Sequence, residues 1–482
     1  MENLKAPNFR WEMRIVISMC LGYGMLMLCR TVVSVAGPTM LADPALSLDI
    51  ASFGAILGWG TAGNLTGKLT TGVLADKLGG SRVFIWAVGI AAVTTFIFGS
   101  LTSNIAFFAL YFLTVFAKSA GWPAMANIIR VGFVQAKHGR VWGFIATSSR
   151  ISSVVTTILV SSLLFIMSWR GLFYIAGALA LVSVFILPRY LKNSWQGIGV
   201  RTANLETSNE SLANLVEDHP LSKTESRAAI GVFIRNPRFW LISLGVSSLA
   251  VLFEFQVFIP IFLSETFSLQ PAQAGLASSA FPLGCLVAVF GGGFVYDKLS
   301  KKNIVYAMGA SLAIAVLCLL GLRLLGEVDF GNGLELILTI SLIFVFGFAI
   351  SPAYYIPMSV FSIGFGGRHC GLLVGLIDAF AYFGAMMFDF IGGAVANKEG
   401  GWEDFILILI VTSIAAAIII VIVLAIVFNN RESRDESPVG DVPREDGMLP
   451  VGTILTPEGT IEPIPTPIQV DTVPPEERYA MQ

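Results

Sequence analysis

The stretch GVLADKLGGSR, residues 72–82, recurs as GFVYDKLSKKN at residues 293–303. Both copies keep a glycine, three further residues, Asp-Lys-Leu and then basic residues. Each follows a long apolar run, and each run is the second in its half of the chain. A lone Asp-Lys pair would be a solvated loop, but the same pair at matching places in two halves marks an internal repeat. Gly72 and Gly293 permit close helix approach, while Asp76 and Asp297 are placed to cap or pair at a helix end, with a gating role open to both.

Around this repeat lies a chain of 482 residues that is 55% hydrophobic and only 13% charged. A soluble protein of that length would need far more polar surface to cover its core. Apolar runs long enough to cross a bilayer, about 20 residues each, are predicted near 13–36, 50–75, 83–101, 105–129, 141–167 and 171–188. A second set is predicted near 237–264, 272–296, 303–323, 336–362, 371–396 and 402–428. The first run lacks the short apolar core and small-residue cleavage site of a signal peptide and is expected to remain in the mature protein. Cys20, Cys29, Cys285, Cys318 and Cys370 lie in or beside apolar runs without paired spacing and read as packing residues. The formal net charge of −2 identifies no partner.

Loop charge predicts orientation. Lys5, Arg10 and Arg14 precede the first run, Lys77 and Arg82 follow the second, and Lys137 and Arg140 follow the fourth. In the other half, Lys298, Lys301 and Lys302 follow the eighth run and Arg368 the tenth. The alternate loops carry acids instead: Asp43, Asp49, Glu265, Glu327 and Asp329, with Arg170 and Arg323 as exceptions. Positive charge stays inside, so both termini and the long middle loop are expected to be cytoplasmic. Residues 189–236 read as a polar linker between halves at 12–188 and 237–428. Residues 429–482 are rich in proline and acids and are expected to be a disordered tail.

Two parallel repeats of six runs with basic inner loops resemble the major facilitator superfamily over residues 12–428. That resemblance implies an all-α integral membrane fold of twelve transmembrane helices in two six-helix halves.

Charges inside apolar runs are the candidates for function. Arg30 lies within CLGYGMLMLCRTVVSVAGPTML (20–41), Lys68 in the second run, Lys118 in the fourth and Arg150 in the fifth. The second half supplies acids: Glu254 in the seventh run, Asp378 and Asp389 in the eleventh. A charge at mid-bilayer costs at least about 2.5–3.5 kcal/mol and normally faces a bundle interior with a partner. The bland reading is that these groups only pair, Arg30 or Lys68 with Glu254 for example, and hold helices together. The sharper reading is that Arg30 and Lys68, with Lys118 and Arg150, bind an anion, because cations of the first half outnumber nearby acids. Asp378 and Asp389 read as packing or gating residues.

The stretches GYGMLMLCRTVVSVAGPTM, GKLTTGVLADK, GWPAMANIIRVGF and VFSIGFGGRHCGLLVGLIDAFAYFGA are similar to the organophosphate:phosphate antiporter family, the branch with glycerol-3-phosphate and hexose-phosphate transporters. By that resemblance Arg30 is a phosphate-gripping arginine, Lys68 a site lysine and Tyr23 a cavity tyrosine. The chain departs from the pattern twice: the family's second arginine falls at Leu252, with Glu254 close by, and its site histidine falls at Ser149, next to Arg150.

Arginine offers a planar fork to oxyanions and lysine a point charge. The expected function is therefore alternating-access transport of a small organic anion, a phosphorylated metabolite or a carboxylate, by exchange. Proton symport through Glu254 and a non-transporting sensor of the same fold remain open. No enzyme motif, metal cluster or cofactor site stands out. The expected partners are the anion, inorganic phosphate or a proton as coupling species, and membrane lipid, without nucleic acid. The chain is expected to act as a monomer in the plasma membrane.

Overall fold

The computed structural model describes residues 9–133, 135–191, 226–296, 299–326, 332–366 and 370–435, with two short strands at 453–455 and 461–463. The chain divides into two compact units, Met1–Phe428 and Asn429–Gln482. In the first unit, helices occupy all twelve positions predicted as membrane runs. The first half holds Phe9–Leu41, Ile50–Leu78, Gly80–Phe98, a fourth in two pieces (Asn104–Ser119 and Gly121–Gly132), Gln135–Leu163 and Trp169–Ile186. The second half holds Pro237–Thr266, an eighth in two pieces (Pro271–Ser278 and Ala280–Tyr296), Lys301–Leu325, Asn332–Gly366, Cys370–Ala396 and Gly401–Asp435. They are called the first to twelfth helices below.

Eleven of these helices are long and apolar enough to cross a membrane. The second helix falls short, because glycines, threonines, Asn64 and Lys68 dilute its apolar residues. Trp86, Ile105, Phe185 and Leu317 are among many large apolar side chains left exposed on the outside of the bundle. In water they would be a liability; against lipid they are the expected surface.

Local chemistry sets the ends and breaks. Asp49 caps the second helix by accepting from the Ser52 amide at 2.8 Å, and Ser168, Asn236 and Ser300 cap the sixth, seventh and ninth. The second helix stops at Gly79, whose φ of +88° suits glycine, and the third begins at once. The fourth and eighth helices break at matching causes. Pro123 lacks the N–H that would bond Ser119, and Pro282 lacks the one that would bond Ser278, so each helix restarts one residue later.

Within the stretch read as linker, Ser226–Arg235 is a helix. Ala229 and Phe233, one turn apart, bury against Phe239, Ile242, Leu373 and Ile377. That short apolar stripe lies in a segment whose overall polarity hides it. In the second unit, within the stretch expected to lack regular structure, Thr453–Leu455 pairs antiparallel with Ile461–Pro463.

Among the described residues, four helix pairings join the halves: second with eleventh, fifth with eighth, first with seventh and first with eighth. The second and eleventh run closest. A Cβ on Gly54 would stand 2.6 Å from the Gly393 Cα, and one on Gly393 would stand 2.6 Å from the Gly54 Cα. Near that crossing, Asn397 accepts from the Ile50 amide at 3.1 Å and donates to Asp49 at 3.1 Å.

Candidate functional site

A cavity of about 430 Å³ lies between the halves. Arg30, Lys68, Lys118 and Arg150 line it from four helices of the first half. Glu254 and Asp378 line it from the seventh and eleventh. Tyr23 lines it as well. The structure thus brings the five predicted binding residues and two of the predicted acids to one space.

Two cations meet carboxylates of the other half. Arg30 Nη2 donates to both oxygens of Glu254, at 3.3 and 3.2 Å. Lys68 Nζ donates to Asp378 Oδ2 at 2.7 Å, and its ammonium lies 5.5 Å from the Tyr382 ring centre. Lys118 differs. The residue is 8% exposed, and its side chain lines the cavity with no hydrogen bond or ion pair among the described residues. The Arg150 guanidinium sits 5.8 Å from the Phe253 ring centre. Four cations therefore face the cavity against two carboxylates, both already engaged.

Tyr23 holds its place through the fourth helix. Trp122 Nε1 donates to the Tyr23 hydroxyl at 2.9 Å, with the rings edge to face at 5.6 Å. A Cβ on Gly121 would strike the Tyr23 ring at 2.9 Å, so the break at Ala120 and the glycine after it let the tyrosine lie flat against this helix. Trp142 stands 5.2 Å from Trp122 and extends the aromatic wall.

Not every predicted residue reaches the cavity. Asp389 is fully buried beyond it, where its Oδ2 accepts from Thr61 at 2.6 Å. Asp76 is exposed and joins the end of the second helix to the fourth, accepting from Arg130 at 3.2 Å and Asn127 at 3.2 Å. Asn127 also accepts from the Gly80 amide at 3.1 Å, so this copy of the repeat fastens the junction of the second and third helices to the fourth. Asp297 lies outside the described residues.

The charged groups left several lining residues unmarked: Asn64, Trp142, Gln256, Tyr354 and Tyr382. Helical spacing is the signal that finds some of them. Asn64 precedes Lys68 by four residues, and Tyr382 follows Asp378 by four, so each shares a face with a charge already singled out. The Asn64 side-chain oxygen is buried and has no hydrogen-bond partner among the described residues.

The model of the Major Facilitator Superfamily matches residues 19–363 and 255–459. The chain belongs to the Major Facilitator Superfamily. It is 26% identical over 429 residues to a probable hexose phosphate transport protein of Chlamydia trachomatis, covering 84% of this chain and 89% of that one. It is 24% identical over 386 residues to the membrane sensor protein UhpC of Escherichia coli, covering 78% of this chain and 84% of that one. Of solved structures, a bacterial homolog of the human lysosomal transporter Spinster, inward-facing and unoccupied, superposes with a TM-score of 0.69 at 15% identity, covering 88% of this chain and 99% of that one. The likeness to that structure fixes the fold.

Proposed function

We propose that this superfamily member carries a small organic anion, most simply a phosphorylated metabolite, across the membrane by alternating access and in exchange for another anion. The observation that carries the reading is the cavity's charge: four cations from one half facing two carboxylates from the other. Intramembrane charge is expensive, and charged groups that face a cavity between helices mark substrate pathways. A dianionic head group supplies the missing negative charge, with Arg30 offering its fork and lysines their point charges. Similarity to a hexose phosphate transport protein supports the phosphorylated class.

The contacts between halves support an alternating mechanism. Hydrogen bonds that join the halves gather at the cavity and between it and the 42–49 loop. With that loop external, as loop charge predicts, this conformation is sealed toward the outside.

A second reading, a sensor that binds the same anion without carrying it, is favoured by the similarity to UhpC. One set of measurements tests both. A thermal-shift screen of purified protein against inorganic phosphate, glycerol 3-phosphate, glucose 6-phosphate and dicarboxylates should reveal the class, since a ligand at a hundred times its Kd stabilises by about 2.7 kcal/mol. Proteoliposomes loaded with the hit should then exchange it with label outside. Stabilisation without flux would overturn transport and leave the sensor; no stabilisation by any anion would overturn both.

A further inference from the structure

We propose that the helix Ser226–Arg235 and its turn into the seventh helix bind an anionic phospholipid of the inner leaflet. The lipid phosphate is held by Arg235 and Arg238, and its acyl chains lie along Trp240 and Leu244. None of these residues lines the central cavity. Charge complementarity starts in the sequence: residues 226–253 carry Arg227, Arg235 and Arg238 and no acid. Among the described residues, no ion pair engages Arg235.

The backbone brings the two arginines to one turn. The Asn236 amide donates to the Phe233 carbonyl at 3.0 Å and closes the short helix. The Asn236 side chain then accepts from the Arg238 amide at 2.9 Å and caps the seventh helix. Arg235 therefore ends one helix and Arg238 lies in the first turn of the next, both of them exposed. A cation in a first turn opposes the helix dipole, whereas an anion held there is favoured by it. Ala229 and Phe233 fix the short helix against the seventh and eleventh, so the pair of arginines stands on a packed base.

Apolar surface continues from this charge. Trp240 Nε1 donates to the Ile234 carbonyl at 2.7 Å, and its ring packs edge to face on Phe380 of the eleventh helix at 4.9 Å. The indole nevertheless stays exposed, as does Leu244 one turn further along the same face. Along the seventh helix, arginine, tryptophan and bare leucine thus follow one another, the order of headgroup, interface and acyl chain. Val232 and Ile234, exposed on the short helix, widen the apolar floor. With the linker cytoplasmic, as loop charge predicts, the leaflet is the inner one, whose anionic lipids attract basic side chains. A free phosphate would satisfy the arginines alone; a phospholipid covers both parts and fastens the linker to the second half.

The test titrates phosphatidylglycerol or phosphatidylcholine into the purified full chain in detergent and counts bound lipids by native mass spectrometry, with gel filtration of each variant. Wild type should prefer phosphatidylglycerol, and the preference should weaken as salt is raised. Arg235→Gln or Arg238→Gln alone should lower that affinity roughly fivefold, and the two together about twenty- to thirtyfold. The single variants keep the site testable if the double variant fails to fold. Arg235→Lys with Arg238→Lys should retain most of the binding, because a charged surface reads sign more than shape. Glycerol 3-phosphate should not displace the lipid. A wild type without preference for phosphatidylglycerol, or monodisperse glutamine variants that bind it equally well, overturns the site. Displacement by glycerol 3-phosphate reveals a soluble phosphate site and overturns the lipid.

Discussion

The Thr61 hydroxyl donates to Asp389 Oδ2 over 2.6 Å, joining the second and eleventh helices across the two halves. The other Asp389 oxygen has no hydrogen-bond partner among the described residues, and the residue is 0% exposed. This contact lies along the same pair of helices as the Gly54–Gly393 crossing and the Lys68–Asp378 ion pair. Together they form a ladder of three rungs. Thr61→Val removes the sole donor and leaves a buried carboxyl group unsatisfied, at a cost of about 1–3 kcal/mol. The melting temperature in detergent should fall, and the double variant Thr61→Val, Asp389→Val should recover part of the loss. A Thr61→Val protein as stable as wild type would show that this rung carries nothing.

Gly54→Ala should keep the halves from closing on this side. The added methyl carbon meets backbone of Gly393, which no side-chain rotation can relieve. In a background without native cysteines, a cysteine replacing the buried Leu57 reports the change. Labelling by a membrane-impermeant thiol reagent should rise when Gly54→Ala is added. Equal labelling in both proteins counts against a seal at this crossing.

Asp49 gives a pH dependence with a definite sign. Its hydrogen bonds with Ser52, and then with Asn397, hold its carboxyl below the usual carboxylate range. A carboxyl group depressed in the folded state contributes stability above its unfolded value, near 3.9, and loses it as pH falls through the lower folded value. Asp49→Ala should cost about 1 kcal/mol at neutral pH, as for other helix caps. The difference in melting temperature between the two proteins should shrink as pH drops below about 4. A gap that stays constant to pH 3 removes the charge from the explanation.

Arg30→Lys separates gripping from simple charge compensation. Lysine can face Glu254 but cannot offer a planar fork to an oxyanion. Affinity for the anion found in the screen should fall about ten- to a hundredfold while the protein stays monodisperse. Binding equal to wild type would leave Arg30 as a structural partner of Glu254.

The repeat around Asp76 and the apolar runs made the twelve-helix arrangement legible, because membrane spans announce themselves by length and composition. The cavity's charged residues were legible for a related reason: Arg30, Lys68, Lys118 and Glu254 break apolar runs at visible cost. Neutral lining residues such as Asn64, Gln256 and Tyr354 carry no such cost and passed as ordinary helix content. The pairing was legible only in part. Arg30 with Glu254 was among the expected pairs, but Lys68 with Asp378 depends on how the second and eleventh helices cross, which two glycines far along the chain decide. The helix at Ser226–Arg235 was hidden because only its Ala229–Phe233 stripe is buried.

The second helix bears on how the protein is made. It is the one helix of the twelve positions whose composition suits protein neighbours better than lipid. Its polar and glycine-rich faces are satisfied by the fourth helix and by the eleventh, and the eleventh is synthesised some three hundred residues later. During biosynthesis the fourth helix follows soon after, but the face that meets the eleventh stays uncovered until the second half is made, so the segment's entry into the bilayer is completed late. A nascent chain released soon after Leu78 should leave this segment loosely held, and its firm anchoring should coincide with arrival of the second half.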